Sequence, residues 1–134
     1  MSEANIREFP HQWEWEKDMP PASIVQVGKT LYLSGQIALA PDGSFVGEGD
    51  LSMQAEQIFA NIQSVLGRAG AGMPNIVKMV TYYTVEMTPE RVQAYWKVRG
   101  RYFGTYRPAS TGVQVMGLID PRCLLEIEVT AVLS

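Results

Sequence analysis

The sequence has almost none of the side chains that bind soft metal ions: Cys123 is its one cysteine and His11 its one histidine. A structural zinc takes about four Cys or His ligands and a catalytic zinc about three protein ligands, so no metal site is expected. A lone cysteine cannot close an internal disulfide, which suits a reducing compartment. Long apolar runs are missing as well, with nothing near the ~20 residues of a membrane span. Positive charge is short: 11 Lys and Arg stand against 14 Asp and Glu, a net charge of -3, the wrong sign for a surface built to neutralise phosphates. Residues 1–15 hold Glu3, Arg7, Glu8 and Glu14 instead of the basic and apolar regions of a secretory signal. A cytoplasmic protein with no membrane and no nucleic-acid partner is expected.

What is present is an ordinary foldable composition, 46% hydrophobic and 19% charged over 134 residues. That suits a single domain, 1–134, burying about two thirds of its unfolded surface. Ile24–Val27 and 31–33 are apolar, β-rich runs either side of Gly28-Lys29, a hairpin. Pro41-Asp42-Gly43 and the Gly/Asp-rich stretch 47–50 read as turn and loop, because apolar patterning resumes at once. Leu51, Ala55, Ile58, Phe59, Ile62, Val65, Leu66 and Ala69 recur at helical spacing, with Gln54, Glu56, Gln57, Asn61, Gln63 and Arg68 on the other face. Asp50 or Ser52 caps this helix and Gly70 or Gly72 ends it. Residues 76–85 read as a strand. Thr88-Pro89-Glu90 opens a second helix with the stripe Val92, Tyr95, Trp96, Arg99, Tyr102 and Phe103. Strands at 111–116 and 124–133 complete a ββαβαββ order, predicting an α+β fold with two helices covering one face of a mixed sheet.

Several apparent motifs carry no chemistry. Gly28-Lys29-Thr30 ends like a phosphate loop, but Ser23 stands where its first glycine belongs and 24–27 reads as strand. Gly67, Gly70 and Gly72 sit at a helix C-terminus, whose partial negative charge repels phosphate. His11, near Trp13 and Trp15, has no nucleophile elbow around it. Glu126 and Glu128 fall on the strand face opposite Leu125 and Ile127. That face is either solvated, as exposed acids commonly are, or part of a cleft completed by a second subunit.

Pro108-Ala109-Ser110-Thr111-Gly112-Val113-Gln114-Val115, then Leu118 and Leu125-Glu126-Ile127-Glu128, resemble the C-terminal signature of the RidA family, also called the YjgF or L-PSP endoribonuclease family. Val27-Gly28-Lys29-Thr30-Leu31-Tyr32-Leu33-Ser34-Gly35-Gln36-Ile37, Gln57 through Asn61 to Leu66, and Ile76-Val77-Lys78 match its other landmarks in order, so the resemblance spans 21–133. It implies a chorismate-mutase-like homotrimer with small-molecule clefts between subunits. It also implies hydrolysis of reactive enamines and imines, such as 2-aminoacrylate, to 2-oxo acids and ammonia without metal or organic cofactor. By the same resemblance Glu126 is the water-orienting glutamate and Ser34-Gly35-Gln36 the turn beside the cleft.

One departure stands out. Active imine deaminases of the family carry an arginine after the Pro-Ala pair, and here that residue is Ser110, whose neutral hydroxyl cannot make a guanidinium's charged fork to a carboxylate. Arg107 and Arg101 are the nearby cations in sequence; Ala22 and Trp96 stand nearest the family's cleft tyrosine and helix asparagine. The implied site is therefore Glu126 as catalytic residue, with Ser34, Gly35, Gln36, Trp96, Arg107 and Ser110 binding substrate. Three functions follow: a RidA-like hydrolase acting on a small imine, enamine or related carbonyl compound other than 2-aminoacrylate; a non-catalytic, chaperone-like or small-ligand-binding trimer; and an endoribonuclease. The acidic composition and the lack of a His or Lys cluster weigh against the last.

Overall fold

The computed structural model describes residues 5–134. Its first strand is one that no sequence pattern announces: Ile6–Glu8 (β1), whose three residues are all exposed and so carry no alternation. It pairs antiparallel with Ile24–Val27 (β2), which turns through Gly28 into Thr30–Leu33 (β3). Gly28 has φ +58°, in the left-handed region that favours glycine, so the tight hairpin is compatible with this residue and strained for most others. Leu51–Arg68 (α1) starts at Asp50, whose side chain accepts a hydrogen bond from the Met53 amide at 3.0 Å. Ile76–Tyr83 (β4) leads to Pro89–Phe103 (α2), capped by Thr88. Ala109–Gln114 (β5) and Leu125–Val132 (β6) follow.

All six strands form one sheet in the order β1-β2-β3-β6-β4-β5. Only β4 and β5 run parallel, as expected of strands joined by a helical crossover. The observed order is therefore βββαβαββ, and the mixed sheet with two helices agrees with the sequence expectation. Strand ends differ by a few residues: β4 stops at Tyr83, although the Thr84 amide still reaches the Leu124 carbonyl, and β5 begins at Ala109. Every residue of β5 is exposed, so apolar alternation could not mark its ends.

On the helix side, Leu125, Ile127, Val129 and Ala131 of β6 and Met79 of β4 pack with Ile58, Phe59 and Ile62 of α1 and Tyr95, Val98 and Phe103 of α2. The other face is uncovered: it presents Glu126, Glu128 and Thr130 of β6, Val80 and Tyr82 of β4, Val113 of β5 and Tyr32 of β3. No helix of the described residues is long and apolar enough to cross a membrane.

The polar face assigned to α1 needs correction, because Gln54 and Asn61 are buried. Gln54 donates to the carbonyls of Gly47 and Arg122, both at 3.0 Å, and accepts from the Leu124 amide at 2.8 Å. Asn61 donates to the Leu39 carbonyl at 2.8 Å and the Ile37 carbonyl at 3.3 Å. Loops pressed onto the helix have no ladder partners, and these two amides satisfy them.

Candidate functional site

The first cleft arises where β3 leaves β6. Their pairing runs from Thr30↔Val132 to Tyr32↔Thr130; beyond it the chain departs and returns at Gln36, which exchanges two backbone hydrogen bonds with Ile127 at 2.8 and 3.1 Å. Ser34 is tied outward instead, its hydroxyl donating to the Ala22 carbonyl at 2.6 Å and its amide to Ser23 at 3.1 Å. Gly35 is left facing Glu126. A Cβ on Gly35 would stand 2.1 Å from the Glu126 Oε2, so the carboxylate occupies space that any other residue would fill. Asn61 holds the far wall through Ile37 and Leu39.

The resulting cavity, about 340 Å³, is lined by Trp15, Ala22, Ser34, Gly35, Gln36 and Glu126, among others. Glu126 is half-buried and, among the described residues, its carboxylate accepts no hydrogen bond and meets no cation. Burial pushes its carboxyl above the usual range, and the neighbouring Glu128 charge pushes the same way. Glu128 itself accepts a hydrogen bond from the Tyr82 hydroxyl, which raises the Tyr82 pKa. An unpartnered, desolvated carboxylate is a better proton acceptor than a solvated one and can hold a water in a fixed direction.

A second cavity, about 200 Å³, lies on the helix-covered side between α2 and β5. The β4–β5 register puts Ser110 and Gly112 beside Met79 and Thr81, on the face opposite Glu126. Its lining includes Thr81, Tyr83, Tyr95, Trp96, Arg99 and Ser110. Thr81 Oγ1 and the Tyr95 hydroxyl are hydrogen-bonded at 2.9 Å in the buried part. Arg99 Nη1 donates to Ser110 Oγ at 3.1 Å.

The structure thus sorts the sequence candidates into two places. Ser34, Gly35, Gln36 and Glu126 share the first cavity; Trp96 and Ser110 share the second; exposed Arg107 lines neither. Arg101 is occupied with Glu56, at 2.6 Å. Ala22 lines the first cavity, and Trp96, 56% exposed, is not a core residue. Because β4 lies between β5 and β6, no small ligand of one chain touches both Ser110 and Glu126. The lining also includes residues that the sequence does not single out as site candidates, among them Trp15, Thr81, Tyr83 and Tyr95, and Arg99, which its spacing puts in the α2 stripe. The signal for Arg99 was its place one turn after Trp96, on the same helix face. Among the described residues no group of three or more His, Cys, Asp or Glu side chains could hold a metal ion.

Gly35→Ala tests the close approach. The methyl meets the end of a flexible side chain, not backbone, so the fold is expected to survive while Glu126 swings away. Activity depending on Glu126 should fall about ten- to a hundredfold, the effect of a displacement near 1 Å, with an unchanged circular dichroism spectrum. An unchanged rate would show that the position of the carboxylate does not matter.

The fold and this geometry define a class: a small α+β protein with a carboxylate-bearing cleft at the rim of an uncovered sheet face. The family profile of Endoribonuclease L-PSP matches residues 20–133, and the chain belongs to that family, the RidA or YjgF family. It is 32% identical over 114 residues to the 2-iminobutanoate/2-iminopropanoate deaminase of Mus musculus, covering 84% of this chain and 81% of that protein. It is 33% identical over 121 residues to the mitochondrial protein MMF1 of Saccharomyces cerevisiae, covering 84% and 78%. Among solved structures it is similar to YyfA of Yersinia pestis, a Rid family protein, with a TM-score of 0.77, 33% identity and coverage of 86% and 89%.

Proposed function

We propose that this protein is a hydrolase of small reactive imines or enamines, working as a homotrimer in the cytoplasm, with Glu126 orienting the attacking water. The observation that carries the proposal is the half-buried Glu126 carboxylate, without hydrogen bond or cation among the described residues, lodged against Gly35 in an open cleft. In the reaction, water adds its oxygen to the C=N carbon of the protonated imine and passes a proton to Glu126, the C=N π electrons go to nitrogen, and a neutral carbinolamine forms. Glu126 returns that proton to nitrogen, the hydroxyl oxygen gives its own proton back to the carboxylate as the C–N bond breaks, and a carbonyl compound and ammonia leave. The name of the mouse relative supports this reaction type.

A second subunit is part of the proposal. The uncovered sheet face carries Tyr32 and Val113, exposed by 51% and 40%, and copies of the chain lying on it would cover them. Such an arrangement would also allow the two cavities of neighbouring subunits to serve one ligand.

The test is an assay in which 2-imino acids are generated in solution by an amino acid oxidase and their loss is followed by semicarbazide trapping. Acceleration over buffer is expected, with 2-iminopropionate a poorer substrate than for a relative that carries an arginine at the position of Ser110, because the serine itself is neutral. Light scattering should read a mass of three chains. No acceleration for any imine, with ligand binding intact, would instead favour a non-catalytic binding trimer; a monomer at micromolar concentration would remove the intersubunit cleft.

A further inference from the structure

Arg99 is a half-buried cation without a counter-charge: among the described residues it makes no salt bridge. Its contacts include the Ser110 hydroxyl, the neighbouring Tyr95 hydroxyl and the Phe103 ring, whose centroid lies 5.6 Å from the guanidinium carbon. A guanidinium has five N–H donors in a planar fork, so two neutral hydroxyls leave several of them for a ligand. Set in a cavity wall and partly removed from water, such a group fits an anion, and a carboxylate best, because two oxygens can be held by two parallel N–H bonds. Ser110 Oγ accepts from Arg99 and keeps its own proton to donate to the same anion.

The rest of the cavity is of different character. Met87, Val92 and the Trp96 indole supply apolar wall, and Trp96 is 56% exposed. Across from them Tyr83 passes close to Gly112, where a Cβ would be 3.2 Å from the ring, so the glycine keeps that side of the cavity open. About 200 Å³ is more than a methyl group needs and is enough for an aromatic or branched side chain.

We propose that Arg99, with Ser110 beside it, is the carboxylate anchor of this protein, and that it selects 2-imino or 2-oxo acids whose branched or aromatic side chain rests on Trp96. The anchor thus comes from α2, in place of an arginine at position 110 on β5. The substrate class rests on the hydrolase reading above; the binding site does not.

Isothermal titration of the intact protein with phenylpyruvate, 4-methyl-2-oxopentanoate, pyruvate and the methyl ester of phenylpyruvate tests it. Phenylpyruvate and 4-methyl-2-oxopentanoate are expected to bind at least about tenfold more tightly than pyruvate, and the ester at least about tenfold more weakly than its acid. Arg99→Gln should remove the acid's advantage over the ester, Arg99→Lys should restore part of it, and Trp96→Ala should weaken phenylpyruvate but not pyruvate. Equal affinity of wild type for acid and ester, or of wild type and Arg99→Gln for phenylpyruvate, overturns the proposal. The acid and ester comparison needs no variant, so it decides even if Arg99→Gln does not fold. If Arg99→Gln loses binding while no imine is hydrolysed by the wild type, the hydrolase reading fails and the anchor stands. If imines are hydrolysed and Arg99→Gln keeps its kcat/KM, the anchor fails and the hydrolase reading stands.

Discussion

Glu126→Gln is expected to slow imine hydrolysis about a hundredfold or more, the usual scale of general acid-base assistance, while leaving the fold and the oligomer mass unchanged. The amide has the shape of the carboxyl group and fits the same space against Gly35, but it cannot take a proton from water. Glu128→Gln is the control. Glu128 is already engaged by the Tyr82 hydroxyl, and its loss should leave the rate nearly untouched while shifting the acid side of the pH profile downward, since a like charge beside Glu126 is gone. In the wild type the rate should fall as pH drops through the raised Glu126 pKa, because the protonated group no longer accepts.

Stability should move the other way. A carboxyl whose pKa is raised by burial favours folding when protonated, and that contribution is complete below its unfolded pKa and lost as pH rises through the folded one. At neutral pH, Glu126→Gln should therefore melt above the wild type, and the gap should close well below the ordinary glutamate range. Equal turnover of the two proteins on a true substrate would overturn the mechanism. A lower melting temperature for the variant at neutral pH would show that Glu126 has a stabilising partner.

Gln54→Leu is expected to destabilise the protein by roughly 3–9 kcal/mol, from three part-buried backbone groups left unpaired at about 1–3 kcal/mol each. Leucine nearly matches glutamine in volume, so the loss would come from hydrogen bonding and not from a cavity. Denaturant unfolding followed by fluorescence measures it, and a slope unchanged from wild type would place the change in the folded state. Since domains of this size are stable by about 5–15 kcal/mol, a large share would be gone. The effect should reach activity as well. The Arg122 carbonyl and Leu124 amide lead directly into β6, where Thr84 also holds the Cys123 carbonyl, and fraying there loosens Glu126. A loss under about 1 kcal/mol would mean that water replaces the amide.

Both helices, the hairpin and β6 were legible in the sequence because their apolar residues recur with the period of the element. β1 was not: Ile6, Arg7 and Glu8 are all exposed, and only pairing with Val25, Gln26 and Val27 makes them a strand. Gln54 and Asn61 were read as surface from residue type, and they are buried because loops distant in sequence bring carbonyls and an amide that need partners.

By itself the sequence determined both helices, the hairpin and β6, the family signature, the side of β6 on which Glu126 stands, and the missing arginine at position 110. These depend on neighbours along the chain, whose spacing sets the facing of each side chain. Only the tertiary structure decided that Gly35 backs onto Glu126, that Ser110 and Trp96 lie on the opposite side of the sheet from it, and that Arg99 reaches Ser110. Those outcomes follow from strand order. β3 pairs with β6 and then leaves it, β4 separates β6 from β5, and α2 packs over the β4–β5 edge, so residues far apart in the chain meet or are kept apart by hydrogen bonding and packing that no local pattern encodes.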